Sequence, residues 1–191
     1  MSIAKSLRTA SRRVLREHIV QGHPVDPKAL EGFAYRGTSL GLPGFVAKLT
    51  WKTFQKTFHR DEATGRLFGW NVRLHQDGLD APSRPLVKDG HPVCVWNYEV
   101  IEPGGVPMPA GFDRGLVIDY SRAENPTFDT VRLMKDPLVA LSPENYDELI
   151  GVSYAVIGGL CVETPTYFTL EREQAIDYVP PLFTRDKPRV P

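Results

Sequence analysis

Cysteine is scarce: Cys94 and Cys161 stand alone among 191 residues. With no paired-thiol spacing they form neither a disulfide framework nor a thiolate zinc motif. A free cysteine in an apolar run behaves as a small buried hydrophobe, and this usage fits a reducing cytoplasm. The five histidines, at positions 18, 23, 59, 75 and 91, show no metal-ligand spacing with each other or with the cysteines. Long hydrophobic runs are missing too, so no segment approaches the roughly 20 apolar residues that span a bilayer. The first twenty residues lack the apolar core of a secretory signal. Net charge is absent, with 23 Lys and Arg against 23 Asp and Glu. This removes the usual electrostatic reason to expect a nucleic acid partner. The balance hides an asymmetry: residues 1–95 carry 15 basic and 8 acidic side chains, a difference of +7, and residues 96–191 carry the reverse. Familiar catalytic signatures are lacking as well. Gly104-Gly105 and Gly158-Gly159 have no phosphate-loop context, there is no Gly-x-Ser-x-Gly elbow, and His59-Arg60-Asp61 lacks the rest of a kinase signature.

What remains is alternation, aromatics and turns. Ser2 to Val20 reads as a basic amphipathic helix, with Ile3, Leu7, Ala10 and Val14 on one stripe and five Lys or Arg elsewhere. Its ordinary place is against the outside of a larger core, although an Arg-rich helix also suits a membrane surface. Gly32 to Leu40 reads as a strand. Pro43 to His59 reads as a helix, because Ala47, Trp51, Phe54 and Phe58 share a face at helical spacing. Strand patterns follow at Arg66–Leu74, Pro92–Ile101, Leu116–Ser121, Val131–Leu141, Leu149–Ile157 and Thr166–Arg172, separated by Gly- and Pro-rich loops. Strands with mainly local connections favour one closed or nearly closed antiparallel β-barrel. The expected organisation is therefore a helix at 1–20, a mainly β barrel domain at 21–178 with one internal capping helix, and a proline-rich tail at 179–191.

Several of these residues resemble a bacterial family of unknown function named for a Gly-x-Trp-x-Gly motif and its C-terminal partner region. Gly32-Phe33-Ala34-Tyr35-Arg36-Gly37 would be the motif, with Tyr35 in the tryptophan position and one extra residue before it. Gly41-Leu42-Pro43 matches the Gly-x-Pro turn that continues the family pattern, and Trp51 with Lys56-Thr57-Phe58 matches its next element, a helix bearing a tryptophan followed by Lys-x-Phe. Val117-Ile118-Asp119-Tyr120 and Tyr167-Phe168-Thr169-Leu170-Glu171-Arg172 resemble the partner region. The resemblance implies a calycin-like barrel and no settled chemistry.

Such a barrel has an interior, and the aromatic residues are candidates to line it. Trp51, Trp70, Trp96, Tyr154 and Tyr167 could contact an apolar guest, with Tyr35 and Arg36 at the mouth to meet a polar end. Arg36 would suit a carboxylate because its planar fork binds one at two points. The expected function is a carrier or sensor for a small hydrophobic molecule, lipid-like or aromatic. The alternative is a small-barrel enzyme of the cyclase, isomerase or lyase kind. Asp119 or Glu99 would then serve as acid or base and Tyr98 as hydrogen-bond donor. Each candidate also has a plain structural role open to it, as packing for the aromatics and as surface ion pairing for the charged groups. No motif identifies a cofactor. A small hydrophobic molecule is the expected partner, with no nucleic acid and no integral membrane segment, and a homodimer is compatible with the sequence.

Overall fold

The structure, a computed structural model, describes residues 2–41 and 51–183. Two helices, α1 (Ile3–Ser6) and α2 (Arg12–Gln21), come first, and a short helix α3 (Pro27–Leu30) follows. Ser2, Ser11 and Asp26 cap the three N-termini through their side-chain oxygens, satisfying backbone donors that helix geometry leaves free. The chain turns extended at Ala10, so the amphipathic run is two segments rather than one.

The strands are β1 (Phe33–Leu40), β2 (Thr53–Arg60), β3 (Leu67–Arg73), β4 (Val87–Lys88), β5 (His91–Pro92), β6 (Cys94–Ile101), β7 (Leu116–Asp119), β8 (Met134–Ser142), β9 (Asn145–Ile157) and β10 (Leu160–Ala175). Eight of them close into an antiparallel barrel in the order β1-β10-β9-β8-β7-β6-β3-β2, and β4 and β5 form a small ladder inside the β3–β6 connection. Each barrel strand thus pairs with its neighbour in sequence, and β1 meets β10 to complete the ring. None of the described helices is long and apolar enough to cross a membrane.

The mainly β class, the closed barrel and the N-terminal helical region agree with the sequence reading. The expected helix from Pro43 to His59 does not. Residues 43–50 lie outside the described residues, and Thr53 to Arg60 is strand β2. Phe54 and Phe58 satisfy a helical spacing and a two-residue period equally well. Pairing decides between them, since β2 is hydrogen-bonded to β1 on one side and β3 on the other, and β-branched Thr53 and Thr57 suit a pleated surface. Of the proline-rich tail, residues 184–191 are likewise outside the described part.

Two apolar clusters divide the core. The inner one fills the lower barrel with Tyr35, Phe58, Tyr98, Ile118, Leu149 and Leu170, and Val25 and Leu30 from the α3 segment join it from below. So the short helix that stoppers the barrel precedes β1. The outer cluster packs Ala4, Leu7, Leu15 and Ile19 against Val139, Ile150, Val152 and Tyr167. The N-terminal helices therefore lie on the outer wall of β8, β9 and β10. They are tied there by Glu148, whose carboxylate accepts the Ile3 and Ala4 backbone N–H groups at 3.0 and 3.3 Å.

At the opposite end β9 and β10 run past the rim as a hairpin. Ile157, Leu160 and Val162 near its tip are 54%, 73% and 48% exposed.

Candidate functional site

The upper half of the barrel is hollow. A cavity of about 360 Å³ opens between Ser39, Trp51, Phe54, Trp96, Thr166 and Phe168, with Lys56, Asn71, Tyr120 and Asp136 at its base. A second lobe of about 280 Å³ shares Trp96, Tyr120, Asp136, Ser153 and Thr166 with it. Strand alternation explains the lining. Phe54, Lys56 and Phe58 point inward from β2, and Gly37 across from Phe54 leaves room for its ring: a Cβ there would lie 2.3 Å from the ring.

An ammonium at an inward position between two phenylalanines has to be paired, because an isolated buried charge is prohibitive. Lys56 is 2% exposed. Its Nζ donates to Tyr120 Oη at 2.6 Å and to Asn71 Oδ1 at 3.1 Å, and lies 3.3 Å from Asp136 Oδ2. Tyr120 in turn donates to Asp136 Oδ2 at 2.9 Å. The Tyr98, Tyr120, Phe168 and Phe54 rings surround the ammonium with centroids 4.9 to 5.7 Å away, a cage whose faces favour a cation. Burial pulls the Lys56 pKa below the usual lysine value, while Asp136 pushes the other way. Burial raises the Tyr120 hydroxyl well above the usual tyrosine value, so it stays a proton donor. The other carboxylate oxygen, Asp136 Oδ1, is buried and has no hydrogen-bond partner among the described residues.

The mouth is built from tryptophans. Trp51 and Trp96 stack with ring centroids 4.8 Å apart, and the Arg73 guanidinium lies 4.9 Å from the Trp51 ring centre. Trp96 has φ +52°, a left-handed conformation that costs a bulky residue about 1–3 kcal/mol. It sits where the β3–β6 register shifts, between the Gly69–Tyr98 and Asn71–Val95 pairs. Two bonds hold it: its Nε1 donates to Asp129 Oδ2 and its carbonyl accepts from Asn71 Nδ2, each at 3.2 Å. Asn71 therefore connects the Lys56 pair at the base to the strained residue at the mouth.

Of the residues singled out in the sequence, Trp51 and Trp96 line this cavity. Tyr98 lies just beneath it, inside the barrel, where its hydroxyl donates to the Thr57 carbonyl at 2.8 Å and its ring meets Tyr120 edge-on. Tyr35 is inside but lower, donating to the Tyr146 carbonyl at 2.9 Å and accepting from Arg172 at 3.1 Å. The others face outward. Arg36 binds Ser83 Oγ at 2.8 Å and the Gly78 carbonyl at 3.0 Å, pinning an external loop. Trp70 is wholly buried, but on the outer side, beside Val72, Pro85, Pro92 and Tyr178. Tyr154 donates to the Pro107 carbonyl at 2.8 Å, and Tyr167 packs under the N-terminal helices.

The two candidate acids also point away from the cavity. Asp119 alternates with the inward Leu116 and Ile118 and is bound to Lys135 Nζ at 2.6 Å and Arg122 at 3.4 Å. Burial acts to raise its pKa, but the hydrogen bonds from Lys135 and Ser121 together with the Lys135 charge leave it lowered. Glu99 is gripped at both oxygens by Arg66, with Nε at 2.8 Å. The acid that faces the interior is Asp136, next to Lys135. A Lys-Asp dipeptide in a strand must send one charge to each face, and that was the available signal for both Asp136 and the Asp119–Lys135 pair.

Among the described residues, no three His, Cys, Asp or Glu side chains come together as a metal site. The sequence matches no protein-family model and no curated protein.

Proposed function

We propose that this chain is a binding protein, a carrier or sensor that holds one small, largely apolar molecule in the upper barrel. The observation that carries the reading is the cavity of about 360 Å³, whose aromatic walls converge on a buried Lys56–Tyr120–Asp136 cluster. Its volume is in the range of small-molecule sites, and apolar walls with a few convergent polar groups are their usual composition. The relation to the Gly-x-Trp-x-Gly family and to calycin barrels belongs to the same proposal, supported by the closed eight-stranded topology. A cytoplasmic setting rests on the free thiols Cys94 and Cys161.

The test is a screen of fatty alcohols, fatty acids, naphthalene derivatives and haem by native mass spectrometry and thermal shift. A ligand at a hundred times its Kd should add about 2.7 kcal/mol of stability. It should also quench tryptophan fluorescence through Trp51 and Trp96. Trp51→Leu or Trp96→Leu should weaken such a ligand about three- to tenfold, the value of one aromatic stacking contact. A screen without a bound species or a shift would end the proposal.

One observation favours a second reading as a proton-transfer enzyme of the isomerase or lyase kind. The inward carboxylate of Asp136 borders both lobes of the cavity, and the Tyr120 hydroxyl donates to its Oδ2 at 2.9 Å, which sets a candidate base beside a proton donor. Solvent deuterium entering the α-carbon of 2-tetralone faster with protein than with buffer, and no faster with Asp136→Asn, would support it. Exchange at the buffer rate would dismiss it.

A further inference from the structure

The hydrogen-bond inventory at the cavity base points to the class of guest. An ammonium has three N–H donors, and Lys56 has three acceptors in place: Asn71 Oδ1, Tyr120 Oη and Asp136 Oδ2. The Tyr120 proton is directed at Asp136 Oδ2 and the Ser39 hydroxyl at the Trp51 carbonyl. The charged and phenolic donors at the base are thus consumed within the protein. The group left over is an acceptor, Asp136 Oδ1, buried and unpartnered among the described residues on a side chain that borders both lobes of the cavity. Rotation about the Cβ–Cγ bond of a carboxylate is soft, so a small turn presents this oxygen at the wall.

Building on the binding function above, we infer that the ligand carries a neutral hydroxyl or N–H donor at its polar end, which Asp136 accepts, and that Asp136 sets this specificity. A buried acceptor without a partner is costly, and a hydrogen bond to a charged acceptor is among the stronger kinds. An alcohol, phenol or amide N–H relieves the deficit. An ether leaves it in place. A carboxylate brings a second negative charge beside Asp136, and among the described residues the base has no uncommitted cation. Arg73 does not change this, because it is exposed and lies over Trp51 at the mouth.

Three probes that share a naphthalene ring separate these cases by calorimetry at pH 7: 2-naphthol, 2-methoxynaphthalene and 2-naphthoate. The expected result is that 2-naphthol binds about ten- to a hundredfold more tightly than either of the others. In the paired variant Lys56→Met with Asp136→Leu, which removes both charges together, that preference should fall to within about threefold. If the variant does not fold, the native series decides alone. Equal affinity for the three probes, or tighter binding of 2-naphthoate, would overturn the inference and leave the binding function standing. Failure of all three to bind would count against both.

Discussion

Lys56→Met alone is expected to lower the stability of the barrel by about 3–5 kcal/mol, the usual cost of removing one partner from a buried ion pair. The loss is not the value of the Lys56 contacts. It is the penalty of leaving the Asp136 carboxylate, 2% exposed, without its cation. Asp136→Leu alone should cost a similar amount, because the ammonium would keep only Asn71, Tyr120 and the aromatic cage. The two substitutions together should be far milder than their sum, since well-packed apolar residues commonly replace a buried pair with little loss. Urea unfolding of the four proteins gives the coupling energy directly. A coupling below about 0.5 kcal/mol would mean that the two groups do not act as a pair.

The second large effect is alkaline. Burial lifts Tyr35 to about 12, against a lowering contribution from its Arg172 hydrogen bond, and it lifts Tyr98 and Tyr120 well above the usual value. An acid whose folded pKa is raised keeps its proton in the native state after the unfolded chain has lost it. Stability from these groups is therefore complete below about pH 10 and drains away as pH climbs from there through the folded values. Tyr35 alone, raised from 10 to about 12, accounts for about 2–3 kcal/mol. Lys56 works in the opposite sense. Its lowered pKa means that the unfolded chain binds the extra proton, so its contribution improves as pH rises toward the ordinary lysine value. Three tyrosines outweigh one lysine, and the barrel should unfold cooperatively above pH 10. The tyrosinate absorbance of Tyr35, Tyr98 and Tyr120 should appear together with loss of the circular dichroism signal. Full ionisation of all seven tyrosines with the native spectrum intact would contradict this.

The barrel class and seven of its eight strands were legible from alternation, and the eighth, β2, was hidden because its phenylalanines also fit a helical spacing. Which face is inside was not legible. Phe68, Trp70 and Val72 form the richer stripe of β3, yet the interior side is the one with Gly69 and Asn71. The chain supplies an outer cover from its own loops and its 176–178 segment, so hydrophobicity marks burial without marking the lumen. Two-sided cover likewise hid the outward positions of Tyr154 and Tyr167. The base of the site was missed for a related reason. Lys56 reads as a solvated lysine only if residues 43–59 are helical. Read with a two-residue period, it falls between Phe54 and Phe58, where a cation requires an anion. Asp136 was passed over for Asp119, although either acid stands in an apolar strand. Only three-dimensional pairing, with Lys135 committed to Asp119 outside and Lys56 to Asp136 inside, tells them apart.

The hairpin of β9 and β10 has a consequence for how the molecule meets its neighbours. The barrel wall has no free margin, since ring closure pairs β1 with β10 and removes the template that an open sheet offers to foreign chains. Above the rim that protection stops. The described pairing of β10 to β1 ends at Tyr167 and that of β9 to β8 at Ala155, leaving the flanks of the overhang beside greasy Ile157, Leu160 and Val162. Any sticking between copies would start at that tip, on the same end at which the cavity opens.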